Sequence, residues 1–193
     1  QGTADEPQYD AFSYASRDDQ DLSVSAEGCL GVFPRVHDWD ADGRQDLVLG
    51  LADGRVQVYP NVNTAEAPQF GDPFFVQVGP PGSEVELDVG ARATVEIVDW
   101  DNDARFDLVV GGLDGKLHLL LNHGYGQLPA FYETTFIQDG DGDLLVPAVR
   151  SSVSVADLDG DGRKDLLLGN TEGQLVFYPN TGTDRSPSFD GSR

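Results

Sequence analysis

Residues 38–50 read DWDADGRQDLVLG, residues 99–112 read DWDNDARFDLVVGG, and residues 157–169 read DLDGDGRKDLLLG. Each copy places aspartates at positions 1, 3, 5 and 9 of a short loop, then runs into an apolar, partly β-branched stretch. Alternate spacing lets a tightly curled loop turn every second side chain toward one centre. Calcium takes six to eight hard oxygen ligands with flexible geometry. The first copy offers the carboxylates of Asp38, Asp40, Asp42 and Asp46, with the backbone carbonyl of Arg44 as a fifth ligand. The second offers Asp99, Asp101, Asp103 and Asp107 with the carbonyl of Arg105; the third offers Asp157, Asp159, Asp161 and Asp165 with that of Arg163. The spacing therefore predicts about three Ca²⁺ sites, one per copy.

Position 6 of such a loop favours glycine, which tolerates positive φ. Gly43 and Gly162 fit and Ala104 does not, so the second site is expected to be the weakest or most strained. An EF-hand would close with a bidentate Glu at position 12 between helices. Here position 12 is Leu49, Val110 or Leu168, within runs that read as buried strands, so the ninth-position Asp must supply the closing carboxylate. The arginines at position 7 read as exposed residues that contribute only their carbonyls. Three acidic turns without metal are the competing reading, since Asp and Gly are common turn residues. Four carboxylates in nine residues, three times over, repel one another without a cation.

A second landmark recurs in step with the loops. Pro7, Gln8 and Tyr9, then Pro68, Gln69 and Phe70, Pro129, Ala130 and Phe131, and Pro187, Ser188 and Phe189 are spaced by 61, 61 and 58 residues. The first loop aspartates are spaced by 61 and 58. One repeat domain over 1–193 follows, with repeats at 3–63, 64–123 and 124–182 and the start of a fourth at 183–193. Within each unit, alternating and β-branched stretches separated by turns predict an all-β fold, and about four short antiparallel strands per unit make one propeller blade. DGDGD at 139–143 falls in the slot of a variable hairpin turn and has Pro147 at its ninth position, so it reads as an ordinary acidic turn.

The pattern D-x-D-x-D-G-x-x-D-L-x-x-G, followed by a D-G turn and a strand ending in Tyr-Pro-Asn, resembles the FG-GAP/VCBS repeat family, the integrin α-subunit type of β-propeller repeat. The resemblance implies calcium loops on one face of the propeller, a structural metal, and ligand binding by loops of the disc or between blades. It carries no catalytic residue.

The chain has 193 residues with 12 basic and 34 acidic side chains, a net charge of −22. Three bound Ca²⁺ would bring −22 to −16. Such a balance argues against nucleic acid and anionic membranes as partners, and no apolar run approaches the roughly 18 residues of a membrane helix. It fits a secreted or extracellular protein in a calcium-rich medium. Cys29 is the single cysteine, which excludes an internal disulfide, and its apolar neighbours predict a buried thiol.

Propellers close with four to eight blades. Three units predict either a homodimer forming a six-bladed ring or further repeats in a longer chain. The function expected is a calcium-stabilised binding or scaffolding module for carbohydrate or protein. Trp39, Trp100, Tyr59, Phe177 and Tyr178 are either sugar-stacking platforms or inter-blade packing. The alternative is a polysaccharide lyase or hydrolase. His37, His118 and His123 form no triad-like or metal-like spacing, and no nucleophile motif is present, so no enzyme is expected.

Overall fold

The computed structural model describes residues 13–24, 31–140 and 142–189. Pro7, Gln8, Tyr9 and Cys29 lie outside them. The described residues contain no helix; they form short strands in six antiparallel sheets. The first part of the chain gives β1 (Ser16–Arg17), β2 (Gln20–Asp21), β3 (Phe33–His37), β4 (Asp46–Gly50) and β5 (Val56–Tyr59). The middle gives β6 (Phe74–Phe75), β7 (Gln77–Val78), β8 (Val85–Glu86), β9 (Thr94–Val98), β10 (Asp107–Gly111) and β11 (Leu117–Leu120). The last part gives β12 (Thr135–Phe136), β13 (Gln138–Asp139), β14 (Gly142–Asp143), β15 (Ser152–Ala156), β16 (Asp165–Gly169) and β17 (Leu175–Tyr178).

Two sheets have four strands, in the orders β3-β4-β5-β6 and β9-β10-β11-β12, and the third repeat forms β15-β16-β17. The outermost strand of each four-stranded sheet lies beyond the repeat boundary that the sequence suggests. β6 and β12 follow the Pro-x-Phe landmark of the next unit, yet pair back onto β5 and β11. Each unit thus lends a strand to its predecessor. The hairpins β1-β2, β7-β8 and β13-β14 occupy the variable turns. Asp139 and Asp143 of the DGDGD stretch lie in the last of these, and Asp143 meets Lys116 Nζ at 2.9 Å; Asp141 lies outside the described residues.

The strand after each loop explains why its sequence is apolar throughout. In β10, Leu108 and Val110 enter a core shared with the first sheet, whereas Val109 enters a core shared with the third. Side chains alternate across a strand, so a strand sandwiched between two sheets needs apolar residues on both faces. β9 lies between β3 and β15, and its Glu96 accepts hydrogen bonds from Arg35 Nε at 3.1 Å and Nη2 at 3.0 Å. Backbone bonds also cross between sheets: Ala93 N donates to the Leu51 carbonyl at 3.0 Å, and Ser151 N to that of Gly112 at 2.9 Å.

Gly50, Gly111 and Gly169 end the equivalent strands, but their surroundings differ. A Cβ on Gly50 would collide with the carbonyl of Ala93, and one on Gly111 with that of Ser151. A Cβ on Gly169 would meet nothing nearer than Ser152 Cβ at 3.7 Å. The first two glycines let the next sheet approach closely; the third has no such neighbour. Gly111→Ala should destabilise the protein by about 3 kcal/mol through overpacking, and Gly169→Ala by under about 0.5 kcal/mol. Urea unfolding of the two variants checks this; equal losses would refute it.

Candidate metal centre

Each aspartate loop closes a hairpin: β3 to β4, β9 to β10, and β15 to β16. The ninth-position Asp opens the outgoing strand and pairs with the residue before the loop, as Asp46 with His37, Asp107 with Val98 and Asp165 with Ala156. The three loops share one conformation. Positions 4 and 6 are left-handed in all: Ala41 and Gly43, Asn102 and Ala104, Gly160 and Gly162. Ala104 takes φ 70° despite lacking glycine's freedom, so the second loop carries the strain expected of it. Ala41 and Asn102 show the same demand at position 4, which the sequence did not signal.

The first carboxylate ties the loop down. Asp38 accepts from the amides of Asp42 and Gly43 at 3.0 and 2.9 Å. Asp99 does the same for Asp103 and Ala104, both at 3.0 Å, and Asp157 for Asp161 and Gly162, both at 3.0 Å.

The ninth carboxylate is buried in every copy. Asp46 accepts from Trp39 N at 2.8 Å and Asn61 N at 2.7 Å. Asp107 accepts from Trp100 N at 2.7 Å and Asn122 N at 2.8 Å; Asp165 accepts from Leu158 N at 2.9 Å and Asn180 N at 2.8 Å. These bonds leave each carboxylate oxygen a further lone pair for a metal.

The arginines do more than the sequence suggested. Arg44, Arg105 and Arg163 are half-buried. Each guanidinium pairs with the fifth-position carboxylate of its own loop (Asp42, Asp103 or Asp161). Each Nε also donates to an asparagine carbonyl, to Asn61 and Asn122 at 2.6 Å and to Asn180 at 2.7 Å. These buried asparagines are the residues that sequence reasoning missed. Asn122 Oδ1 accepts from Gly124 N at 2.9 Å and Ala130 N at 3.0 Å, which fixes the Pro-x-Phe segment to the loop. Asn61 binds Asn63 N and Gln69 N, and Asn180 binds Gly182 N and Ser188 N, in the same way. The Asn that follows each alternating strand, in Tyr-Pro-Asn at 59–61 and 178–180 and in Leu-Leu-Asn at 120–122, was the available signal.

Carboxylate oxygens converge in all three loops. In the first, oxygens of Asp38, Asp40 and Asp42 lie within 4.8 Å of one another; in the second, those of Asp99, Asp101 and Asp107; in the third, those of Asp157, Asp159 and Asp165. Asp40 Oδ1 is buried and has no hydrogen-bond partner. Burial and, after it, the charges of Asp42 and Asp46 raise the Asp40 pKa. Burial pushes Asp107 up to about 6, against the backbone amides of Asn122 and Trp100, with Asp101 and Asp103 adding to the rise. A carboxylate so placed is relieved by a proton or by a cation. The donors are all hard oxygens, the set that calcium prefers.

The aromatic residues resolve differently. Trp39 is buried with its ring centroid 5.2 Å from Phe106 and 6.2 Å from Phe131, and Trp100 is buried 6.2 Å from Phe189. Tyr59 and Tyr178 are buried and Phe177 is half-buried. The tryptophans pack between repeats. The histidines lie against aromatic rings, His37 on Phe106 at 4.4 Å, His118 on Phe136 at 4.9 Å and His123 on Tyr132 at 5.2 Å.

Asp107→Ala should cost about 3 kcal/mol even in chelator, because it leaves two buried amides without an acceptor. Asp101→Ala, whose carboxylate holds a single loop amide, should cost under about 1 kcal/mol there. Denaturant unfolding in chelator measures both, and equal costs would deny the ninth carboxylate its structural role.

No curated protein matches the chain. A family model described as an FG-GAP-like repeat matches residues 99–168. The matched stretch runs from Asp99, which opens the second loop, to Leu168 in the strand leaving the third. Residues 99–168 are thus an FG-GAP-like repeat, consistent with the FG-GAP/VCBS type of repeat family.

Proposed function

We propose that this protein is a calcium-stabilised, β-propeller-type binding module that works outside the cell, with one Ca²⁺ held by each aspartate loop. The observation that carries the reading is the buried Asp40 Oδ1, which has no protein partner and sits among converging carboxylates. Asp38, Asp40, Asp42 and Asp46, with their counterparts in the other two loops and the carbonyls of Arg44, Arg105 and Arg163, would hold the ion. It would neutralise the loops and fasten each hairpin end, as a structural cation. The acidic balance of −22 suits a protein that meets calcium at extracellular concentration.

Binding is the favoured role because an apolar cleft opens between blades. Trp39, Phe74, Val76, Leu128, Pro129 and Phe131 line a cleft of about 280 Å³ beside the first loop. Its exposed rim, Phe74 and Leu128, suits an apolar protein side chain or a sugar face. No catalytic role is assigned to any residue; the aromatic packing of all three histidines supports that.

Association completes the proposal. Among the described residues β17 has no fourth strand beside it. Leu175 opens β17 and is 74% exposed, whereas its equivalents Val56 and Leu117 are 0% exposed. Leu158, in the slot of Trp39 and Trp100, is exposed as well. At the other end Val36 of β3 is exposed, while Ile97 at the same place in β9 packs on the core. The two ends are the two halves of the contact already made twice within the chain. A second copy placed head-to-tail would reuse that contact and close six blades, within the usual range.

Calcium should raise the melting temperature by about 5 °C or more over chelator, since binding only the folded loops stabilises by mass action. An unchanged melt would sink the metal reading. Asp161→Ala should abolish one of the sites counted by calorimetric titration and leave the other two. Light scattering in calcium should give twice the chain mass of 20.8 kDa; a monomer at all concentrations would overturn the paired ring.

A further inference from the structure

Eight basic side chains among the described residues pair with a carboxylate: Arg17, Arg35, Arg44, Arg55, Arg105, Lys116, Arg163 and Lys164. In a chain with 34 acids such pairing is expected. Arg92, Arg150 and Arg185 have no such pair; Arg185 is exposed, which leaves Arg92 and Arg150 to explain. Neither meets a carboxylate within the described residues, although both are half-buried. Arg92 Nε is buried and has no hydrogen-bond partner at all.

The two occupy the same place in successive repeats, two residues before the innermost strands β9 and β15. The backbone brings them together. Leu113 N donates to the Ala91 carbonyl at 2.9 Å, and the Leu113 carbonyl accepts from Arg150 N at 3.2 Å. Just inside, Thr94 Oγ1 donates to the Ser151 carbonyl at 2.8 Å. On its other side Arg92 stands over the ring of Phe33, with Cζ 5.7 Å from the centroid. Phe33, Arg92 and Arg150 therefore gather at the starts of three neighbouring inner strands. The aspartate loops lie at the far ends of those strands, about 16 Å away for five residues of strand.

Backbone strain adds an independent observation. Arg92 has φ 56° and Arg150 has φ 55°, left-handed values that glycine takes without penalty. Gly31 stands at the equivalent place in the first repeat with φ 63°. Ala148 and Val149 are left-handed too, at φ 60° and 53°, so Arg150 ends a strained run of three. The protein thus places arginine twice where glycine would sit at ease, and gives neither guanidinium an acid. A strained backbone of this kind motivates a functional reading of the residues that carry it. Burial first, and the charge of Arg150 after it, lower the Arg92 pKa.

We infer that Arg92 and Arg150 form an oxyanion-binding site, for the carboxylate or the sulfate or phosphate ester of a ligand, at the end of the inner strands away from the aspartate loops. Two guanidinium forks borne on neighbouring strand starts suit an anion with several oxygens, and the Phe33 ring lies under the first fork. The site uses none of the loop aspartates, so it stands whether or not the loops hold calcium.

The test uses the full chain with the double substitution Arg92→Gly and Arg150→Gly, which relieves the strained backbone and leaves folding intact or improved. Sulfate and acetate are the probes, titrated calorimetrically against chloride at matched ionic strength. The wild type should bind at least one of them saturably. The glycine variant should lose that binding while its melting temperature in chloride stays level or rises. Arg92→Lys with Arg150→Lys keeps the charge without the fork and should bind about tenfold more weakly. Sulfate preferred over acetate assigns an ester, and the reverse a carboxylate. Absence of saturable binding by the wild type, or equal binding by the glycine variant, would overturn the inference.

Discussion

A buried carboxylate at the mouth of each loop holds this fold together. Asp46, Asp107 and Asp165 each take the amide at loop position 2 with one oxygen and the amide of a distant asparagine with the other. The bond to position 2 curls the loop. The bond to asparagine brings the end of the next-but-one strand back beside it, fifteen residues along the chain. A charged acceptor makes both bonds stronger than neutral ones. Its burial is expensive in return, and that expense appears as the raised pKa of Asp107. Backbone amides offset part of it, and in the proposed function calcium offsets more.

From that carboxylate the repeat is built outward as a chain of linked constraints. Arginine at position 7 bridges the fifth-position Asp and the asparagine carbonyl, so loop and strand end cannot separate without breaking an ion pair. The asparagine side chain then holds the Pro-x-Phe segment, whose phenylalanine is buried. Phe131 and Phe189 lie against the tryptophans Trp39 and Trp100 of loops in earlier repeats. A local hydrogen-bonded unit thereby reaches the apolar contact between units. The strand lent to the preceding sheet, β6 or β12, follows directly on this fixed segment and starts from a defined place.

The parts that were legible in the sequence are those whose chemistry is local. Four aspartates at fixed spacing, and an apolar run with no polar face, each state their surroundings without knowledge of the rest of the chain. The all-β class and the three hairpin loops follow from them. The role of Arg44, Arg105 and Arg163 was not legible, because the asparagine carbonyl each one reaches lies seventeen residues away. The left-handed Ala41 and Asn102 carried no glycine to mark them. The offset between sheet and repeat was hidden for another reason: β6 and β12 are only two residues long, too short for any alternation to register. The tryptophans were legible as apolar but not as to their partners, since Phe131 lies 92 positions from Trp39.

The third repeat separates local from neighbour effects. Its loop hydrogen bonds match those of the first two within about 0.2 Å. Its burial does not match. Leu167 is half-buried where Val48 and Val109 are fully buried, and Asp157 and Asp159 are exposed where their counterparts are half-buried. The same local sequence therefore builds the same hairpin with or without a following sheet, but only a following sheet covers it. This is the behaviour of an array in which each unit contacts its neighbours alone. Among the described residues the first and third repeats each contact one neighbouring sheet and the second contacts two, so the outer units are held by fewer contacts than the middle one. The third loop has the freest access to solvent, with Asp157, Leu158 and Asp159 all exposed. A structural cation would stabilise that loop relative to its surroundings more than either of the others, and a further blade packed on Leu158, Leu167 and Leu175 would remove the difference.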